Sequence, residues 1–141
     1  MQINEIMTKQ VDYASPQATL LDLATRMREQ DVGAIPIAEN DRLIGMVTDR
    51  DIVVRGVAAN TSLDGLTAKE VMTDNLLWCY DNQSVDEVLA NMGEQKVRRL
   101  PVINKDKQLV GMISLGDLSL HGDATATGEA LKGISTHAQS R

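Results

Sequence analysis

Residues 43–52 of this sequence read Leu-Ile-Gly-Met-Val-Thr-Asp-Arg-Asp-Ile, and residues 109–118 read Leu-Val-Gly-Met-Ile-Ser-Leu-Gly-Asp-Leu. Each stretch begins as an apolar run with one glycine, which predicts a strand. Each then reaches a hydroxyl residue, Thr48 or Ser114, followed three positions later by Asp51 or Asp117. Hydroxyl and carboxylate side chains are favoured at helix N-termini. The two stretches therefore predict the same corner, a strand that turns directly into a helix.

The pattern around these corners is also duplicated. Met27 and Pro36 have counterparts in Met92 and Pro101 at one constant offset. The glycine of each corner matches at an offset one residue longer, so the second copy has one extra residue in the preceding turn. Turn, helix and strand signals that agree in this way indicate an internal repeat.

The sequence of each copy predicts the same helices and strands in the same order. A short segment ending in Met-Thr opens the copy, and a short apolar stretch follows. Thr19 and Ser84 then stand at helix N-cap positions, each with a carboxylate three residues later. A hairpin and a closing helix complete the copy. Because proline cannot donate to a strand ladder, Pro36 and Pro101 suggest edge strands or strand starts.

The domain boundaries follow from the repeat. We expect a first repeat over residues 1–59, a linker over 60–66 and a second repeat over 67–120. The tail, residues 121–141, is rich in Ala, Gly, Thr and Ser, and two glycines weaken its one helical pattern. We expect this tail to be mobile or to contact a second copy of the chain.

Composition excludes several classes of function. A net charge of −6 and an aromatic content of 2% argue against a nucleic-acid binder, which needs a basic surface or stacking side chains. The single cysteine, Cys79, predicts a reducing, cytoplasmic setting and reads as a small buried hydrophobe. No signal peptide or membrane-spanning run is expected. We predict no catalytic residues, no metal site and no required cofactor, because no nucleophile–base pair or ligand spacing stands out.

Taken together, the paired corners, Val97-Arg98-Arg99-Leu100-Pro101 and the matching spacing resemble the tandem form of the CBS (cystathionine beta-synthase) domain family. The resemblance covers about residues 3–120, and it is greatest to small stand-alone bacterial proteins of the hypoxic response type. It implies an α+β fold of two β-α-β-β-α repeats packed through their sheets with pseudo-twofold symmetry. It also implies a homodimer and two clefts for adenosine-containing ligands such as AMP, ADP or ATP.

In such a pair, each cleft would combine the corner of one copy with strand residues of the other. The resemblance assigns nine residues to the first cleft: Met46, Thr48, Arg50, Asp51, Leu76, Leu77, Val97, Arg98 and Arg99. A carboxylate can accept both hydroxyls of a ribose, and a helix start favours a phosphate. Three arginines could face that phosphate, which the guanidinium fork suits.

The second cleft has a different charge. The resemblance assigns it Val11, Asp12, Val32, Gly33, Ala34, Met112, Ser114 and Asp117. Here Gly116 stands in the place of Arg50, and Gly33 and Ala34 stand in the places of Arg98 and Arg99. We therefore predict that a nucleotide prefers the first cleft.

Three alternatives stay open at this point. Thr48 and Asp51 could serve only as helix caps, and Arg98 and Arg99 could be a solvated basic patch. The protein, predicted to be a regulatory sensor that an unidentified protein partner reads, could instead be a dimeric scaffold with vestigial clefts. It could also be the non-catalytic subunit of an enzyme.

Overall fold

The structure, a computed structural model, describes residues 1–59, 62–73 and 76–139, so part of the predicted linker lies outside the described residues. The chain forms two compact units. We call Asp12–Leu76 the first unit, and Met1–Val11 together with Leu77–Arg141 the second unit. Helices and strands occur in both, as predicted.

The first unit contains one helix, one hairpin and two short helices. In chain order these are α1 (Leu20–Gln30), β1 (Ala34–Glu39), β2 (Arg42–Thr48), α2 (Asp49–Asp51) and α3 (Ala68–Val71). The Thr19 hydroxyl accepts the backbone N–H of Asp22 at 3.1 Å, which confirms the predicted cap of α1. The predicted closing helix is present, but after α2 it continues as a π-helical segment over Ile52–Val57.

Antiparallel pairing of β1 and β2 places Ala34 opposite Thr48. This hairpin and α1 enclose a core that is almost entirely aliphatic. The buried members are Ala14, Leu20, Leu23, Met27, Ile35, Ile37, Val47, Ile52, Ala68 and Val71. In α1, the buried residues Leu20, Leu23 and Met27 lie at the i, i+3 and i+7 positions that form one face of a helix.

The second unit repeats this arrangement and adds a long helix. Its elements are β3 (Cys79–Tyr80), α4 (Val85–Gln95), β4 (Arg99–Ile103), β5 (Leu109–Ser114), α5 (Leu115–Ser119) and α6 (Ala124–Gln139). Strand β4 lies between a parallel β3 and an antiparallel β5. The edge position suggested for Pro101 is therefore wrong. The sheet tolerates this proline because β3 pairs only with Val102 and Ile103, beyond it.

The compact units do not coincide with the sequence repeats 1–59 and 67–120. Residues 1–11 open the first repeat but belong to the second unit, where Ile3 is fully buried. Helix α3 opens the second repeat but belongs to the first unit, where Ala68 and Val71 are buried. Each repeat thus gives its opening segment to the unit of the other repeat.

The part of residues 121–141 that the structure describes is mostly helical, and the predicted mobility of this tail in solution stays a prediction. Helix α6 packs against α4 within the chain, and it buries Ala130 and Ile134. The approach is close because a Cβ on Gly133 would lie 2.6 Å from the Gly93 carbonyl oxygen. The glycines that weaken the helical pattern thus include one that the packing requires. A contact with a second copy stays a prediction.

Candidate ligand-binding site

The Thr48–Asp51 corner is held by two reciprocal hydrogen bonds. The Asp51 backbone N–H donates to the Thr48 hydroxyl at 3.1 Å. The Thr48 backbone N–H donates to Asp51 Oδ2 at 2.9 Å. This is a capping box that satisfies two otherwise unpaired donors at the start of α2. The side chain of Asp51 is 13% exposed, so its carboxylate is fixed in position and still reaches the surface.

The Ser114–Asp117 corner has the same geometry in the second unit. Asp117 N–H donates to the Ser114 hydroxyl at 3.0 Å, and Ser114 N–H donates to Asp117 Oδ2 at 3.1 Å. The capping role considered for Thr48 and Asp51 is therefore present at both corners. It does not exclude ligand binding, because an ionised carboxylate has about four acceptor positions and the capping box uses one.

One cation beside Asp51 was missed by the sequence reasoning. Arg55 Nε lies 4.0 Å from Asp51 Oδ1, and Arg55 Nη1 donates to the carbonyl oxygens of Val71 and Met72 at 3.4 Å each. The signal was available, because an Asp and an Arg four residues apart face each other on a helix. The predictions concentrated on Arg50 and overlooked this pair.

The two corner glycines admit the exchanged opening segments. A Cβ on Gly45 would lie 2.7 Å from Met72 Sδ, and one on Gly111 would lie 2.6 Å from Met7 Sδ. The residue after each glycine is also hydrogen-bonded to the opening segment. Met46 O accepts the Thr73 N–H at 2.9 Å, and Met112 exchanges two backbone hydrogen bonds with Thr8. The close backbone approach that glycine allows is therefore made at both positions by protein.

Each corner also contacts the strand start of its own unit. In the first unit, Asp49 N–H donates to the Gly33 carbonyl at 3.0 Å. In the second unit, Leu115 N–H donates to the Arg98 carbonyl at 2.7 Å, and Arg99 pairs with Ser114 across the sheet. Both Arg98 and Arg99 are exposed.

The predicted cleft residues are thus distributed over both units. The first unit holds Thr48, Arg50 and Asp51 with Asp12, Val32, Gly33 and Ala34, and the second holds Ser114 and Asp117 with Val11, Leu77, Val97, Arg98 and Arg99. The chain passes between the units at Val11–Asp12 and at Leu76–Leu77, and all four of these residues were assigned to clefts. How the clefts assemble stays a prediction.

Asp12, assigned to the second cleft, already has partners. Its Oδ2 accepts the Gln30 side-chain N–H at 2.7 Å and lies 3.9 Å from Arg26 Nη1. Arg26 also pairs with Asp22 at 3.0 Å. These contacts restrain the Asp12 side chain within a charged surface cluster, so part of its capacity to bind a ligand is used.

Comparison with known proteins adds the decisive observation. The family model described as "CBS domain" matches this chain twice, over residues 3–56 and 68–121. This chain belongs to the CBS domain family. The predicted resemblance is confirmed, and the chain is a tandem CBS module, a class of protein with a regulatory role.

Relatives of similar length carry the same CBS pair. Hypoxic response protein 1 of Mycobacterium tuberculosis is 40% identical over 131 residues, which cover 92% of this chain and 91% of that protein. A crystal structure of Hypoxic Response Protein I with two coordinated zinc ions matches with a TM-score of 0.78 and 39% identity, and it covers 87% of this chain and 100% of the other.

More distant CBS structures share the fold alone. CBSX2 in complex with AMP matches with a TM-score of 0.74 at 23% identity, covering 84% of this chain and 93% of the other. The CBS domain pair of MJ0100, in complex with 5′-methylthioadenosine and S-adenosyl-L-methionine, matches with a TM-score of 0.76 at 22% identity. That match covers 86% of this chain and all of the other.

Cys79, the single cysteine of this CBS pair, is free and buried. Burial, and to a smaller extent the charge of Asp81, raises the pKa of Cys79 to about 12, so its thiol is a buried hydrophobic group. Among the described residues, no three His, Cys, Asp or Glu side chains lie close enough together to hold a metal ion. The helices described are too short or too polar to cross a membrane.

Proposed function

We propose that this CBS pair is a non-enzymatic regulatory module that binds an adenine nucleotide at a cleft organised by Asp51. The observation that carries the proposal is the fixed carboxylate of Asp51. Its Oδ2 is engaged by the Thr48 N–H, while Oδ1 is directed toward Arg55 at a distance longer than a hydrogen bond. Oδ1 therefore retains acceptor capacity for a ribose hydroxyl.

The ligand class follows from this chemistry and from the neighbours. A rigid carboxylate can accept the hydroxyls of a vicinal diol, and the exposed guanidinium of the neighbouring Arg50 can face a phosphate. CBSX2 binds AMP and MJ0100 binds adenosine derivatives, which supports an adenosyl ligand here. AMP, ADP and ATP are the nucleotides that we propose, and no further cofactor is needed.

We further propose that the first cleft is the stronger of the two. Arg50, an exposed cation, directly precedes Asp51. At the second corner, Gly116 occupies the corresponding position. Charge-assisted hydrogen bonds contribute roughly 1.5–3 kcal/mol each, so the loss of one phosphate contact lowers affinity at least about tenfold.

The experiment is a titration of AMP against wild type, Asp51→Asn and Asp117→Asn by isothermal titration calorimetry. Asparagine keeps an oxygen that can accept the capping N–H, so the two corners stay folded while the charge is removed. We expect Asp51→Asn to abolish the strong site and Asp117→Asn to leave it unchanged. The opposite result would assign the nucleotide to the second corner.

The role of Arg98 and Arg99 is tested by a double-mutant cycle. Their backbone lies beside Ser114, whereas the family pattern assigns their side chains to the first cleft. If that assignment is right, Arg99→Gln weakens the binding of AMP to the strong site that Asp117→Asn leaves intact. An effect of Arg99→Gln confined to the binding that remains in Asp51→Asn would place the arginine at the second corner.

The alternative is a constitutive dimeric scaffold. A ligand that binds only the folded state raises its stability, by about 2.7 kcal/mol at one hundred times its Kd. A thermal-shift screen with AMP, ADP, ATP, NAD and S-adenosylmethionine therefore separates the two functions. No shift with any of them would favour the scaffold. Sedimentation velocity with and without AMP tests the proposed homodimer and its response to the ligand.

A further inference from the structure

We infer that Arg55 is a positioning residue that couples the ligand carboxylate of Asp51 to the opening segment of the second repeat, residues 67–73. The inference rests on the proposed function, since Asp51 must be the residue that meets the ligand. It assigns Arg55 a role in regulation. Occupation of the site at Asp51 then stabilises a segment that lies outside the corner itself.

The contacts of Arg55 support this role. One guanidinium nitrogen, Nε, faces Asp51 Oδ1 at 4.0 Å, and another, Nη1, donates to the carbonyls of Val71 and Met72. These carbonyls belong to the end of α3, where the last C=O groups of a helix have no intrahelical donor. The guanidinium carries donors in a rigid planar fork, so one side chain can face a carboxylate and a helix end together.

The coupled segment is otherwise attached to the same strand as the corner. Met72 packs onto Gly45, where a Cβ would lie 2.7 Å from its sulfur, and Thr73 N–H donates to Met46 O at 2.9 Å. Ala68 N–H donates to the Ala18 carbonyl at 2.8 Å. The chain then leaves the first unit at Leu76. A restraint on residues 67–73 therefore acts on the chain immediately before it enters the second unit.

In the part of the chain that the structure describes, the second corner has no counterpart of Arg55. His121 occupies the position that corresponds to Arg55, four residues after Asp117 and beyond the end of α5 at Ser119. An imidazole is shorter than an arginine side chain and has no donor fork. The coupling is thus specific to the first corner, and His121 offers a matched control.

The test uses AMP and adenosine as probes on the full chain. The variants are Arg55→Met, Arg55→Lys, the charge control Arg42→Met at the exposed start of β2, and the positional control His121→Met. We expect Arg55→Met to weaken AMP and adenosine equally, by roughly 3- to 10-fold, because the ribose carboxylate loses its restraint. Arg55→Lys should recover part of this loss, and both controls should bind as wild type.

Hydrogen exchange measures the coupling directly. In wild type and both controls, AMP should slow amide exchange in residues 68–73. In Arg55→Met, at saturating AMP, this protection should disappear. Because the Arg55 side chain is 53% exposed, its removal should leave the core intact, and circular dichroism of the variant checks that it is folded.

The outcomes separate this inference from the proposed function. If wild type binds AMP and Arg55→Met binds equally well with full protection of residues 68–73, the role of Arg55 is refuted while the proposed function stands. If Arg55→Met loses affinity for AMP but not for adenosine, Arg55 contacts phosphate and does not position Asp51. If wild type binds neither probe, the proposed function fails, and the role of Arg55 fails with it.

Discussion

Helix α6 contains two glycines, Gly128 and Gly133, at which substitution by alanine should change the free energy of unfolding in opposite directions. Apart from the adjacent backbone of its own helix, no described atom lies within 4 Å of the position that a Cβ on Gly128 would occupy. At Gly133, a Cβ would lie 2.6 Å from the carbonyl oxygen and 3.0 Å from the carbonyl carbon of Gly93 on α4. Alanine at either position favours the helix by about 1 kcal/mol relative to glycine. Only the second substitution forces two backbones apart.

The magnitude follows from these distances. Gly128→Ala should raise the free energy of unfolding by about 1 kcal/mol through helix propensity alone. In Gly133→Ala the same gain is offset by an overpacking cost of roughly 1–3 kcal/mol, because the obstructing atoms are backbone and cannot rotate away. Hence Gly133→Ala should be less stable than Gly128→Ala by roughly 1–3 kcal/mol, or several degrees in melting temperature.

The assay is urea denaturation of both variants and the wild type, followed by circular dichroism. The two substitutions are chemically identical and lie on one helix, so each serves as the control for the other. Equal stabilisation of both variants would show that α6 does not pack on Gly93 in solution. The tail would then be free of α4, as the sequence had suggested.

Three further predictions concern the corners and the cysteine. Thr48→Val removes the hydroxyl cap of α2 and should lower the free energy of unfolding by about 1 kcal/mol in denaturant titrations. Gly111→Ala should destabilise more than Gly45→Ala in the same titrations, because its Cβ would lie 2.8 Å from the backbone oxygen of Thr8, whereas the nearest backbone atom at Gly45, the Thr73 oxygen, would lie at 3.2 Å. Since its pKa of about 12 keeps Cys79 protonated as well as buried, iodoacetamide at pH 8 should leave the native thiol unmodified and alkylate it only after denaturation, as mass spectrometry would detect.

Much of the fold could be predicted because its signals are local. The caps at Thr19 and Ser84 and the apolar faces behind them are encoded within a few residues, and both helices start where expected. Because the sequence is duplicated, both repeats carry the same local signals. Local signals also placed Thr48 with Asp51 and Ser114 with Asp117, which the structure confirms as two equivalent corners.

Features that depend on tertiary contact were missed. Helix propensity counts Gly133 against a helix, whereas its contact with Gly93 is what allows α6 to approach α4. Arg55 was missed because it donates to the carbonyls of Val71 and Met72, which are distant from it in sequence. The exchange of opening segments could not be predicted because two similar repeats present similar partners, and the sequence does not specify which one a segment selects.

That exchange has a consequence for the origin of the protein. In a single ancestral repeat, the opening segment could pack on its own chain. Alternatively, two identical chains could exchange their opening segments in a domain-swapped dimer. Duplication and fusion would make this exchange permanent, because two repeats in one chain meet intramolecularly and no longer depend on protein concentration. Fragments cut between the repeats, such as residues 1–60 and 61–141, should therefore each be deficient alone and complement each other when mixed.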